Sequence, residues 1–141
     1  MLRTPKEIRD SIRWDDKNHQ DYVVSKLPVY APEMPHFRLR LDLQVHVRNL
    51  PMRSCFTLIM SERIFSLDVN PGMNHINRIG GKRVTVKGTH WTKWPCDLAE
   101  PDNRTLEHQQ WFNHFLQAAN ISFFGGYEFP PYLPEQIGWD L

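Results

Sequence analysis

Apolar and polar positions alternate without interruption from Phe37 to Arg48: Phe37, Leu39, Leu41, Leu43, Val45 and Val47 interleave with Arg38, Arg40, Asp42, Gln44, His46 and Arg48. A period of two belongs to a strand with one buried and one wet face. Upstream, Tyr22 to His36 predicts a short edge strand followed by prolines that forbid a central one. Downstream, Pro51 makes a turn, CFTLIM reads as a nearly continuous apolar strand, and RIFSLDV sets Phe65, Leu67 and Val69 on one side. Ser61 and Glu62 are compatible with a tight hairpin or with one long strand. Asn70, Pro71 and Gly72 suit a type II turn. Gly80 and Gly81 predict a two-residue hairpin joining HINRI to KRVTV, in which Ile79 faces Lys82, Arg78 faces Arg83, Asn77 faces Val84 and His75 faces Val86. Gly88 then bends or bulges the chain, and Pro95 ends the strand that follows.

Two helices are expected around these strands. Thr4, Pro5 and Glu7 have the order of a capping box, with Ile8 and Ile12 on one face of a helix that ends near Arg13 or Trp14. Asp102 or Asn103 caps a second helix, in which Leu106, Phe112, Phe115, Leu116 and Ala119 follow helical spacing and Asn120 closes the end. From Ile121 the chain is expected to be an extended cover without regular structure. The resulting fold is α+β: a single domain with an antiparallel sheet of about four to six strands, an N-terminal helix, and a C-terminal helix packed on the apolar face of the sheet.

Composition changes this picture little. A chain of 141 residues, 40% hydrophobic and 23% charged, is long enough to bury a core and excludes a disordered protein. Charge adds more. The formal net charge of +1 conceals ten Lys or Arg against three Asp or Glu from His36 to Lys93, and one against seven from Trp94 onward. A basic centre of this kind attracts a polyanion or packs against the acidic tail. Cys55 and Cys96 sit in no CxxC or zinc-type spacing. No signal peptide and no apolar run of about 20 residues is present, so a cytoplasmic protein with no membrane partner is expected.

Candidate chemistry gathers on the predicted hairpin. Like charges face to face on a sheet are unfavourable by about 0.2–1 kcal/mol, so Arg78 opposite Arg83 suits an anion between them. His75 and His90 are the candidate acid and base, Arg78, Arg83 and Lys87 the candidate phosphate ligands, and Trp91 the candidate stacking plane for a base. Together these residue types would cleave RNA through its own 2′-hydroxyl without a metal or cofactor. A metal site from His75 and His90 with Asp97 or Asp102, or from Asp15, Asp16, His19 and Asp21, lacks ligand spacing. No GxSxG turn and no phosphate-cradling glycine loop occurs.

The succession LDV, HIN, GTHW and AANI resembles a group of uncharacterised small bacterial and phage domains that carry an Asp-containing strand, a His-x-Asn pair, a Gly-x-His segment and an Asn-Ile after the last helix. The matching positions are Asp68, His75 and Asn77, Gly88 and His90, and Asn120 and Ile121, between about Arg63 and Ile121. Thr92 and Trp94 stand where the group has a second histidine and a tyrosine. The resemblance implies an origin in mobile elements or toxin-like gene pairs and brings no established activity. The expected function is a small nucleic-acid-interacting protein, in the specific form a toxin-like metal-independent ribonuclease acting on RNA. The alternative is a non-catalytic phage or mobile-element protein that binds a protein partner or antitoxin through Arg38, Arg40 and Arg48, with Trp139 as an anchor.

Overall fold

The computed structural model describes residues 1–16, 21–47, 53–72, 74–96 and 98–131, with the backbone alone at 16 and 74. In chain order the elements are β1 (Lys6–Ile8), β2 (Asp15–Asp16), β3 (Tyr22–Val29), β4 (Leu39–His46), β5 (Arg53–Met60), β6 (Glu62–Val69), β7 (Asn74–Ile79), β8 (Lys82–Lys87), β9 (His90–Lys93), β10 (Glu100–Pro101), α1 (His108–Ala118) and β11 (Ile121–Phe123). Seven strands form one antiparallel sheet in the order β10-β9-β6-β5-β4-β3-β2. β7 and β8 form a separate ribbon, and β1 lies parallel to β11. His19, Arg48, Pro51, Asp97 and Trp139 lie outside the described residues.

This is a mostly-β protein with one short helix, which corrects the expected α+β fold of a four- to six-stranded sheet with an N-terminal helix and a C-terminal helix on its apolar face. The N-terminal helix does not exist. Lys6 N–H donates to the Asn120 carbonyl, Glu7 and Tyr30 exchange backbone bonds, and Phe124 N–H donates to the Ile8 carbonyl. Residues 10–12 are held in the same way, with Gly126 N–H donating to Ser11 Oγ and Ile12 N–H to the Gly126 carbonyl. Gly125 allows this approach, because a Cβ there would collide with the Asp10 carbonyl. A cap signal is worth about 1 kcal/mol, and an isolated helix of ten residues is marginal in water. Pairing on two sides outweighs both. The side chain of Lys6 completes the joint. It is 3% exposed, and its ammonium donates to the carbonyls of Leu2 (3.1 Å), Thr4 (2.6 Å) and Ala119 (2.6 Å).

The remaining helix starts later than expected. Its N-cap is Glu107, whose backbone N–H donates to Gln110 Oε1 at 2.9 Å. Asp102 instead receives the Arg104 guanidinium and the Trp91 indole N–H. Asn120, at φ 55°, takes the left-handed conformation that closes α1. Helical spacing turns Trp111, Phe112, Phe115 and Leu116 into the core, where they meet Leu41, Leu43, Phe56, Leu58, Phe65 and Leu67 from the sheet. Phe115 stacks on Phe65 at 5.1 Å, Phe56 at 5.8 Å and Trp91 at 6.1 Å between ring centroids.

The central strands follow the alternation closely. Leu39, Leu41, Leu43, Val45 and Val47 are all buried, while Arg38 and Arg40 are exposed. Ser61, at φ 61°, resolves the β5–β6 connection as a tight turn in which Met60 pairs with Glu62. A register shift between Leu58 and Ile59 places one extra residue on β6, so that Ile64 and Phe65 are both buried although adjacent.

Candidate functional site

The β7–β8 hairpin lies in the chain between β6 and β9, beyond their last pair, Asp68 with His90. Gly80 and Gly81 sit at φ 56° and 79°, the pair of positive values that a two-residue primed turn requires. The register is the expected one: Ile79 pairs with Lys82, Arg78 with Arg83, Asn77 with Val84 and His75 with Val86. Side chains alternate across the ribbon. His75, Asn77 and Val86 therefore share one face, and Ile76, Arg78, Arg83, Thr85 and Lys87 share the other.

The inner face is fastened to the body. Asn77 is buried, donates from Nδ2 to the Ala99 carbonyl at 3.0 Å and accepts the Ala99 N–H at 2.8 Å. His75 lies against His90, with ring centroids 5.1 Å apart. His90 is 2% exposed, with Nδ1 3.0 Å from the Gly88 carbonyl and Nε2 3.3 Å from Asp68 Oδ2. Both neighbours are acceptors, so the ring is best satisfied when both nitrogens carry protons. The hydrogen bond to Asp68 is the main cause that raises the His90 pKa above the ordinary histidine range. Burial works to raise the Asp68 carboxyl, but hydrogen bonds from His90 and Cys55 overcome it and hold the group below its usual value. Burial first, and then the Asp68 charge, push the Cys55 thiol up to about 12, which leaves it protonated and without nucleophilic character at neutral pH.

The outer face is wet. Arg78, Arg83 and Lys87 are exposed, and among the described residues none of them forms an ion pair. Ile76 lies between them, 48% exposed.

The expected site is thus divided. The hairpin puts the three cations on one face and His75 on the other, where its ring meets His90 of β9. Trp91 belongs to neither, because Phe65 and Phe115 stack against it and its indole N–H donates to Asp102 at 3.0 Å. Arg104 is the main cause that takes the Asp102 carboxyl down to about 2, so this carboxylate is committed to a structural pair. Among the described residues, no three of His, Cys, Asp and Glu gather as metal ligands. No helix among them is long and apolar enough to cross a membrane. Asp68 is the residue whose role the sequence hid: the quoted motif contains it, but only the β6–β9 register, with Asp68 beside His90, identifies it as the histidine's partner. Compared with known protein families, characterised proteins and solved structures, the chain matches none.

Proposed function

We propose that the protein binds nucleic acid through the outer face of the β7–β8 hairpin. What carries the reading is the directly opposed pair Arg78 and Arg83, two exposed guanidiniums with no carboxylate partner among the described residues. Two such groups on neighbouring strands fit one phosphate, which accepts planar, bidentate hydrogen bonds from arginine. Lys87 lies four residues along β8 from Arg83, about 14 Å away at strand rise, and reaches a second phosphate. No acidic residue occurs anywhere from Asn74 to Lys87 to oppose a polyanion. A two-stranded ribbon is also a shape that enters nucleic-acid grooves.

Cleavage does not enter the proposal. An acid–base pair must reach the substrate held by the cations, and His75 and His90 face the body on the other side of the ribbon. His90 also has both nitrogens committed internally. The alternative, docking of the basic β4 face on an acidic protein, is less favoured because Arg40 is bound at 2.6 Å by Asp42 on the same strand.

The test is fluorescence anisotropy with a labelled 12-nucleotide RNA over a salt series. Contacts to about three phosphates on a single strand predict a slope near −2 in log K against log salt. The Arg78→Ala, Arg83→Ala double variant should lose at least about tenfold in affinity and flatten that slope by about 1.4. Unchanged affinity and slope in that variant would sink the reading.

A further inference from the structure

We propose that the opposite end of the sheet is a second contact surface, where Phe37 and Trp94 stack on unpaired bases and Arg38, Arg63 and Lys93 take phosphates. The inference rests on the nucleic-acid reading of the hairpin and adds a contact that only an unpaired strand can make.

The strand register builds this surface. β4, β5, β6 and β9 are consecutive neighbours, and the pairs Arg40–Ile59, Ile59–Arg63 and Phe65–Lys93 bring residues 36–38, 60–63 and 93–95 to the same end. Three strand spacings separate β4 from β9, about 14 Å. Phe37 and Trp94 therefore lie at the same end of the sheet, 46% and 61% exposed, with Trp94 one residue out of phase with Phe37, so a bound strand meets them as it crosses from one face to the other. Phe37 opens the apolar alternation that continues through Val47, and every later member of that series is buried. Its exposure is thus a departure from the pattern of its own strand. Trp94 contrasts with Trp91, three residues earlier, whose ring is covered on the core side.

Two clefts follow from this arrangement. One of about 510 Å³ is lined by Phe37 and Arg38. The other, about 390 Å³, is lined by Arg63, Lys93 and Trp94. Among the described residues Arg38, Arg63 and Lys93 form no ion pair, and Glu62 is the one carboxylate lining these clefts. Arg63 also acts by its charge on Asp68 and Cys55, so Arg38 and Lys93 are the cations without a described carboxylate; exposed rings interleaved with such cations recognise a chain that offers both flat faces and negative charge. A base presents its face only when unpaired, so the ligand class is single-stranded RNA or DNA.

The experiment compares the labelled 12-nucleotide RNA, single-stranded and as a duplex, on the wild type, on Trp94→Ala, on Phe37→Ala, on Arg63→Glu with Lys93→Glu, and on the hairpin double variant. Trp94→Ala and Phe37→Ala should each weaken single-strand binding by about 5- to 100-fold and leave duplex binding unchanged. Single-stranded RNA should quench a component of tryptophan emission that Trp94→Ala removes. The charge-reversed variant should weaken single-strand binding with both rings still in place. If the ring and charge-reversed variants bind single strands as the wild type does while the hairpin double variant is weakened, this inference is overturned and the hairpin reading stands. If the hairpin variant is also unchanged, or no RNA binds, both fail.

Discussion

The two faces of one hairpin differ more than the two ends of the molecule. Its inner face presents His75 and Asn77 to the body, and each finds a partner there: the buried His90 ring and the backbone of Ala99. Its outer face, one residue out of phase, presents Arg78, Arg83 and Lys87 to water without a described carboxylate. The same six-residue strands thus carry a structural inscription on one side and an open surface on the other. The polar residues that look most chemical in the sequence, the histidines, are the ones held in place for stability. The plain cations are the ones left free.

This contrast can be broken most severely from the inside. Asn77→Ala strips partners from a buried backbone N–H and carbonyl, at about 1–3 kcal/mol for each. Urea denaturation should therefore show a loss of about 3 kcal/mol, or hydrogen exchange should show a detached ribbon. A variant as stable and as protected as the wild type would make the Ala99 contact incidental.

Asp68→Asn comes next, with an expected loss of about 2 kcal/mol near pH 6, because it removes the charge facing a buried imidazolium. The raised folded pKa of His90 sets the sign of the pH dependence. Its stabilisation is fully present below the ordinary histidine value of about 6.5 and fades as pH rises through the folded value. The depressed Asp68 contributes stability above the ordinary carboxylate range and loses it as pH falls through its own folded value. Wild-type stability should therefore decline above about pH 6.5 from this pair, and the Asp68→Asn curve should be flatter there. An NMR titration that finds His90 neutral at pH 6 in the wild type would contradict the pairing.

The smallest effect belongs to the outer face. Removing the opposed arginines in the Arg78→Ala, Arg83→Ala variant should leave stability unchanged or raise it by about 0.2–1 kcal/mol, since like charges facing each other across a ribbon repel. A clear destabilisation in thermal melts would mean that these side chains have structural partners, and the two faces would no longer differ in kind.

Much of the contrast was legible from the sequence. The alternation from Phe37 to Arg48 and the Gly80–Gly81 turn are local signals; the strand forms over Leu39–His46, leaving Phe37 exposed outside it, and the hairpin forms in the expected register. The division of the site was legible too: His75 and Arg78 are three apart on a strand and must point to opposite sides. Grouping them by chemistry overlooked that parity. Other features were out of reach for physical reasons. The Thr4–Glu7 cap signal is local, whereas the partners that make residues 6–8 a strand are Tyr30 and residues 121–123. Trp91 is removed from candidacy by Phe115, which arrives on a helix 24 positions later. Single-sequence patterns carry no term for either.

The joint around Lys6 has a consequence for how the chain is made. Its ammonium and its strand both wait for residues 119–123, with 113 positions separating Lys6 from Ala119. At about 5–20 residues per second of synthesis, that delay is roughly 6 to 23 s. During it, β1 has Tyr30 as a backbone partner and Lys6 has the Leu2 and Thr4 carbonyls, but the parallel pairing with residues 121–123 and the Ala119 carbonyl are still missing. The sheet from β3 to β6 assembles through neighbouring hairpins and need not wait. The pairing of β1 with β11 is therefore a contact that closes only after the rest of the sheet has been made.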